Sequence, residues 1–456
     1  MAEEDGLAAA LDDGLLTSET DEDSGKQKSS LGSGRKEAEH EGMDGPRAWL
    51  VLAAAFFSFF ITFGMTVSYG VYFVVFVDEF RASNSKASAI GSVSFGIMAG
   101  SGPLANVLYQ VVGSRVAVMS GGATASLGFA LCYAAQSLVQ LTLCYTLIGL
   151  GFGVCVTSLI AVQPEYFARY RHFALSFVTV GSAAGLVVFP FIMQAAIDYY
   201  GWRGSMLLNA GAASHLFIFG AIMKPRRNRN FKTITCAKLL PLHLFKDPCY
   251  VLLFANCTIW GMVSYSYFSL VVKLMGQYGL ERHAAVSLAS VTGVGNLVGR
   301  IASSFLNHLN GVRRTFFYAS AITIFSASLL GSVGVGEWLG SELRAWGAVT
   351  FIFGLGYGLM LPTLGTVLLD LFGVDELAGA QGFVSLGIGL GGLLIPITSG
   401  RVADVCGLDT AFLFAGSCGL FSALLAFGVA ILSIGRLPHH HQPVLTTAHI
   451  DDKTQD

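Results

Sequence analysis

Lys224-Pro225-Arg226-Arg227-Asn228-Arg229-Asn230-Phe231-Lys232 opens a basic connection, residues 224–248, that also carries Lys238 and Lys246. On its N-terminal side lie six apolar segments, near 49–77, 86–110, 114–135, 140–163, 173–197 and 202–223. Six more follow it, near 249–272, 284–308, 314–335, 345–369, 380–403 and 410–432. Each is about 20 residues or more, the length an α-helix needs to cross a hydrocarbon core of about 30 Å. A polar, basic interruption after the sixth of twelve spans predicts an all-α membrane protein of twelve transmembrane helices in two six-helix lobes, the layout of a two-lobed transporter.

Composition agrees with that fold class. The 456 residues are 53% apolar and only 12% charged, and the mean hydropathy is +0.62, which excludes an ordinary soluble enzyme. Two polar ends flank the apolar core. Residues 1–48 hold thirteen of the 29 acids and many Ser and Gly, and residues 436–456 include His439, His440 and His441; both are expected to be disordered tails. The predicted organisation is thus an acidic tail (1–48), a first lobe (49–223), a basic linker (224–248), a second lobe (249–435) and a short tail (436–456). No basic, apolar signal sequence precedes the first span, so that span is expected to act as the insertion signal.

Lys and Arg accumulate in cytoplasmic loops. With the N-terminus inside, the cytoplasmic loops carry twelve: Arg115, Arg169, Arg171, the seven of the central connection, Arg313 and Arg314. The opposite loops carry seven: Arg81, Lys86, Arg203, Lys273, Arg282, Arg344 and Arg401. Both tails are therefore expected in the cytoplasm, in a multi-pass protein of the plasma membrane or of an intracellular membrane such as the Golgi. Trp49, Trp202, Trp260, Trp338 and Trp346 fall at or near expected helix ends, where an interfacial role is the default. The many glycines of the spans, such as Gly293, Gly295, Gly387, Gly389 and Gly391, suit either close static packing or smooth faces on which lobes rock. Pro190, Pro362 and Pro396 would supply local breaks.

Against this background Arg300 stands out, because it lies some sixteen residues, about 24 Å of rise, into the eighth span. A cation at membrane depth costs roughly 2.5–3.5 kcal/mol even on the lenient insertion scales, so it must meet a polar cavity, a partner or, by snorkelling, the interface. Its planar fork suits a carboxylate. The sequence holds no phosphate-binding glycine loop with its lysine, no zinc helix motif and no nucleophile elbow, and the eight cysteines lack metal spacing. No catalytic residue, cofactor, metal or nucleic-acid partner is expected; the expected partners are a small organic anion and the lipid bilayer.

Two runs of sequence add a resemblance. Asp44-Gly45-Pro46-Arg47-Ala48-Trp49 leads into the first span, and Tyr166-Phe167-Ala168-Arg169-Tyr170-Arg171-His172-Phe173-Ala174, with Gly181 and Gly185 behind it, enters the fifth. Together with Gly113-Ser114-Arg115, Gly201-Trp202-Arg203-Gly204-Ser205 and Gly400-Arg401-Val402-Ala403-Asp404, they resemble the monocarboxylate transporter family of the major facilitator superfamily over about residues 44–435. The resemblance implies alternating access, a substrate carboxylate bound to Arg300 and a cavity-lining aromatic at Tyr357. It also implies a single-span immunoglobulin-type chaperone, which some relatives require.

Two positions depart from the family pattern. Its aspartate four residues before the arginine is Asn296 here, and a first-span lysine of the proton-coupled members is replaced by Val67. Asn can hydrogen-bond but cannot exchange a proton near neutral pH. Proton linkage therefore rests on the resemblance alone, and the residues favour facilitated diffusion or another coupling. Asp370, at the cytoplasmic end of the tenth span, is expected to cap or to pair across a gate, and Arg169 and Arg171 to anchor the cytoplasmic edge, pair with Glu165 or gate. His215, Asn209, Asn256 and Gln194 suit interhelical bonds as well as pocket roles. Two alternatives stay open: a carrier of zwitterionic or neutral solutes such as an amino acid or creatine, and a non-transporting sensor or scaffold.

Overall fold

A computed structural model describes residues 43–81, 84–223, 240–309, 313–394, 399 and 401–434. The tail expected over 436–456 lies outside these residues, as do 1–42 of the N-terminal tail, 224–239 of the central connection and Pro396. Residues 43–48 are described, and the first helix already begins within them.

The helices are α1 (Pro46–Val67), α2 (Tyr69–Glu79), α3 (Asn84–Gly100), α4 (Gly102–Tyr133), α5 (Leu138–Tyr166), α6 (Arg171–Ile222), α7 (Pro248–Gln277), α8 (Arg282–Leu306), α9 (Arg314–Leu339), α10 (Leu343–Leu394), α11 (Arg401–Cys406) and α12 (Leu408–Ser433). Local chemistry marks their starts. Pro46, Pro103 and Pro248 sit in first turns, where the missing N–H costs nothing, and the side chains of Ser137 and Asp247 accept the backbone N–H groups of Gln140 and Cys249.

Eight described spans are long and apolar enough to cross a membrane, two of them with 52 residues. A straight 52-residue helix would be about 78 Å long, more than twice the hydrocarbon thickness. Each is in fact two crossings joined at a glycine with positive φ, Gly201 (φ 68°) in α6 and Gly373 (φ 74°) in α10, and Gly113 (φ 82°) divides α4 in the same way. An L side chain is strained in that conformation, so glycine makes the reversal possible within two residues. The crossings are then 46–79, 84–112, 114–133, 138–166, 171–200 and 202–222, followed by 248–277, 282–306, 314–339, 343–372, an eleventh described over 374–394 and 401–406, and 408–433. The expected twelve helices in two six-helix lobes are the observed architecture. An even number of crossings leaves both ends and the 240–248 turn on one face, here the tail side.

Each lobe has its own apolar core. Phe59, Phe76, Phe152 and Tyr166 belong to the first, and Trp260, Tyr318, Phe325 and Trp346 to the second. The lobes meet where the second and eleventh crossings pass at Gly102 and Gly382. A Cβ on Gly102 would stand 2.1 Å from the Gly382 carbonyl oxygen, and one on Gly382 would stand 2.6 Å from that of Gly102. At this crossing, backbone touches backbone, which only small residues permit.

Three of the five tryptophans correct the expectation of interfacial anchors. Trp260 lies in mid-helix and is 1% exposed, Trp346 is fully buried with its Nε1 donating to the Gly340 carbonyl (2.8 Å), and Trp202 packs edge-on against Phe76. Trp49 and Trp338 are exposed, as an interfacial position requires. The expected start of the seventh span, 249, and the observed start of α7, Pro248, agree to one residue, so Trp260 lies about three turns inside by either and was not at a helix end.

Candidate functional site

Between the lobes lies a cavity of about 420 Å³, lined from α1, α3, α5 and α6 on one side and α7, α8 and α10 on the other. Val67, Asn296, Arg300 and Tyr357, singled out from the sequence, all line it. Among the described residues, Arg300 is the one charged side chain in that lining. It is 2% exposed and does not snorkel. Its Nε donates to Asn296 Oδ1 (2.8 Å), one turn back on the same helix, while Nη1 donates to the Thr179 carbonyl (2.7 Å) and to Ser182 Oγ of the opposite lobe. Nη2 has no hydrogen-bond partner in the protein among the described residues, and no acid there pairs with the guanidinium. Asn296 occupies the position from which a carboxylate would have neutralised it. The site is therefore a buried, uncompensated cation with a donor to spare, held in place by neutral acceptors.

Helix α8 falls short of the apolarity of the eight spans because it carries a polar ladder on one face. Below Arg300, Asn307 Nδ2 donates to Ser176 Oγ (2.9 Å), Ser303 Oγ (3.0 Å) and Thr363 Oγ1 (3.1 Å). Ser176, Thr179 and Ser182 recur at i, i+3 and i+6 on α6, so one helix face meets the ladder. Further toward the tail side the seam turns aromatic: the Tyr170 ring stacks on His308 (5.0 Å between centroids) and Phe173 packs on Phe305 (5.7 Å). Among the described residues, the hydrogen bonds that cross between the lobes lie at Arg300 or nearer the tails. The tail side of the cavity is closed in this conformation.

Asp370 sits in that closure. One carboxylate oxygen accepts from His172 Nε2 of the first lobe (2.8 Å) and the other from Arg314 Nη1 of the second (3.0 Å). The two signature runs come together beside it. Asp44 accepts the backbone N–H groups of Ala168 (3.3 Å), Arg169 (2.9 Å) and Tyr170 (3.4 Å), and Trp49 packs on Phe167, Tyr170 and Phe173. Arg169 stands over the Tyr170 ring, and Arg171 Nε donates to the Phe167 carbonyl (2.7 Å); Glu165 accepts the Tyr109 hydroxyl (2.6 Å). Arg169 and Arg171 thus brace the turn that carries the first lobe's half of the closure.

Asp370→Asn is expected to loosen this latch. A hydrogen bond to a charged group contributes about 1.5–3 kcal/mol, somewhat less at the partial exposure of this pair. About tenfold faster modification of a Ser176→Cys background by an impermeant maleimide added to the tail side is the expected result. An unchanged rate would mean that the pair does not hold the lobes together.

The remaining polar candidates fall elsewhere. Asn209 donates to the Tyr72 hydroxyl (2.7 Å), and Asn256 bridges Ser422 and Tyr318, each within one lobe. Gln194 bonds Asp198, and His215 meets its own helix at the Gly211 carbonyl. None lines the cavity. Asn256-Cys257-Thr258 spells a glycosylation sequon, but Asn256 is fully buried within α7 and so out of reach of glycosylation. Sequence reasoning missed the aromatic lining: Phe59, Phe63 and Phe95 from the first lobe, Trp260 and Phe268 from the second. One signal was available, since Phe59, Phe63 and Val67 follow one another at i, i+4 and i+8 on a single face of α1.

Comparison with known proteins accords with this architecture. The model of the Major Facilitator Superfamily matches residues 54–347. Monocarboxylate transporter 13 of Bos taurus is 29% identical over 387 residues, covering 82% of this chain and 88% of its own. Monocarboxylate transporter 11 of Mus musculus is 27% identical over 397 residues, covering 85% and 88%. The fucose:proton symporter of E. coli has the same fold, with a TM-score of 0.66 at 16% identity over 84% of this chain and 98% of that one.

Proposed function

The chain belongs to the major facilitator superfamily, and on that basis we propose that it carries a small organic anion, a monocarboxylate, across its membrane by alternating access, with the carboxylate on Arg300. The observation that supports this most is the state of Arg300: a buried cation with no acidic partner, an open Nη2 and three hydrogen bonds that hold the fork toward the cavity between the lobes. Asn296 would orient the fork, Tyr357 would flank it, and Val67 would leave the first-lobe wall uncharged. The tail-side latch of Asp370, His172 and Arg314 would open when the opposite side closes.

Among the described residues, the titratable group lining the cavity apart from Arg300 is the Tyr357 phenol, with no Asp, Glu, His or Lys in that lining. This supports facilitated diffusion or exchange of the anion over proton symport. The Lys and Arg asymmetry supports cytoplasmic tails, and the resemblance supports a plasma-membrane address and a single-span immunoglobulin-type partner. No observation favours a non-transporting scaffold.

Uptake by the purified protein in proteoliposomes tests the proposal. Labelled monocarboxylates are expected to enter at similar initial rates at external pH 6 and 7.5, and an excess of the unlabelled acid, but not of its methyl ester, should compete. Equal competition by the ester would replace this function with transport of neutral or zwitterionic solutes.

A further inference from the structure

We infer that the cargo is a monoanion with an uncharged, apolar body of aromatic size, lacking an ammonium or guanidinium group; this rests on the proposal that Arg300 receives a carboxylate.

Three features of the cavity carry the inference. Its volume of about 420 Å³ falls in the range, about 300–1,000 Å³, of pockets that enclose drug-sized ligands. A three-carbon acid would leave most of that space to water, and its body would reach few of the walls.

The walls themselves are aromatic. Phe59, Phe63 and Phe95 line one side, Trp260, Phe268 and Tyr357 the other. On the second-lobe side the rings form a continuous surface, with Tyr357 edge-on to Phe268 (5.8 Å between centroids, 78°) and to Trp260 (6.2 Å, 73°). Tyr357 and Arg300 line the same cavity, so the ring surface and the anion site share it. A planar apolar body attached to a carboxylate would meet ring faces and edges as soon as the carboxylate docks.

The charge inventory sets the third limit. One guanidinium offers nothing for a second carboxylate. Among the described residues, no acidic side chain lines the cavity to receive a cation. Asn296 Oδ1 and the Thr179 carbonyl already accept from Arg300. A substrate ammonium would meet only ring faces and neutral acceptors such as Thr157, Gln381 and Ser385 among the described lining residues, with no carboxylate to balance it, and it would share the cavity with an uncompensated arginine. An amino acid or a creatine-like zwitterion is thereby disfavoured relative to the same skeleton without its cation.

Competition against labelled 3-phenylpropanoate in proteoliposomes tests this with matched probes. Lactate keeps the carboxylate and removes the body. L-Phenylalanine adds an ammonium, phenylsuccinate adds a second carboxylate, and 3-phenylpropanamide removes the charge. The expected half-saturation for 3-phenylpropanoate is at least tenfold below that of each of the other four. Phe268→Leu should shrink the ratio between lactate and 3-phenylpropanoate about three- to tenfold, the scale of one aromatic contact. Lactate or L-phenylalanine matching 3-phenylpropanoate, with uptake still lost in Arg300→Lys, would overturn the inference and leave carboxylate transport standing. The amide matching the acid would overturn both. The wild-type panel decides these outcomes even if Phe268→Leu does not reach the membrane.

Discussion

Arg300→Lys is expected to lower carboxylate uptake by about two orders of magnitude in protein that still reaches the membrane. Lysine keeps the charge, so a site acting only as an electrostatic trap would survive the change. What lysine cannot keep is the fork. Nε and Nη1 are already committed to Asn296, Thr179 and Ser182, and the proposed anion would meet a donor on a third nitrogen held by the first two. A single ammonium must choose between those acceptors and the substrate. Truncating one side of a buried, hydrogen-bonded charge pair costs about 2–5 kcal/mol, which is roughly 30-fold to several thousandfold in affinity. Initial-rate uptake normalised to surface-labelled protein measures the effect. Retention of uptake within about threefold of wild type would remove Arg300 from the anion site.

If the wild type carries its anion without a proton, as proposed, Asn296→Asp is expected to make uptake pH-dependent. In the wild type Asn296 Oδ1 lies 2.8 Å from Arg300 Nε. A carboxylate in the same place would neutralise the cation that the substrate requires, and anion binding would then have to be accompanied by uptake of a proton. The sign follows from linkage: the bound state holds one proton more than the empty state, so binding strengthens as pH falls, by about tenfold per unit at most. Between pH 7.5 and 6 the variant should gain up to about thirtyfold in uptake at subsaturating substrate, while the wild type changes by about twofold or less. A steep profile in the wild type would instead mean that a proton enters by a route outside this cavity. The Asp370, His172 and Arg314 cluster would then be the first place to look for it.

How much of this was legible in advance differs from element to element. The sequence segments near 138–166 and 314–339 were placed to within a few residues, because each crossing must satisfy the bilayer by itself and apolar length reports that requirement locally. The turn between the tenth and eleventh crossings was read as a loop over about 370–379, yet helix runs through it with one break at Gly373. A single left-handed residue leaves almost no trace in composition. Val67, Asn296, Arg300 and Tyr357 were legible because a charge in an apolar span is rare and because the resemblance marked their positions. Phe59, Phe63, Phe95 and Phe268 were not, since this chain has 34 phenylalanines and a ring toward lipid looks the same in sequence as a ring toward a cavity.

By itself the sequence determined twelve crossings, the six-plus-six division and the presence of one deep cation without an acid four residues before it. These follow from hydrophobic length, from charge counting and from local spacing, all of which act within one segment. The tertiary structure alone decided that Arg300 reaches Thr179 and Ser182 across the lobes, that Asp370 finds His172 across 198 positions of sequence, and that six rings from two lobes enclose one cavity. Those contacts depend on which helix faces meet, and in a bilayer that is settled by close packing and polar pairing between segments rather than by the apolarity they all share.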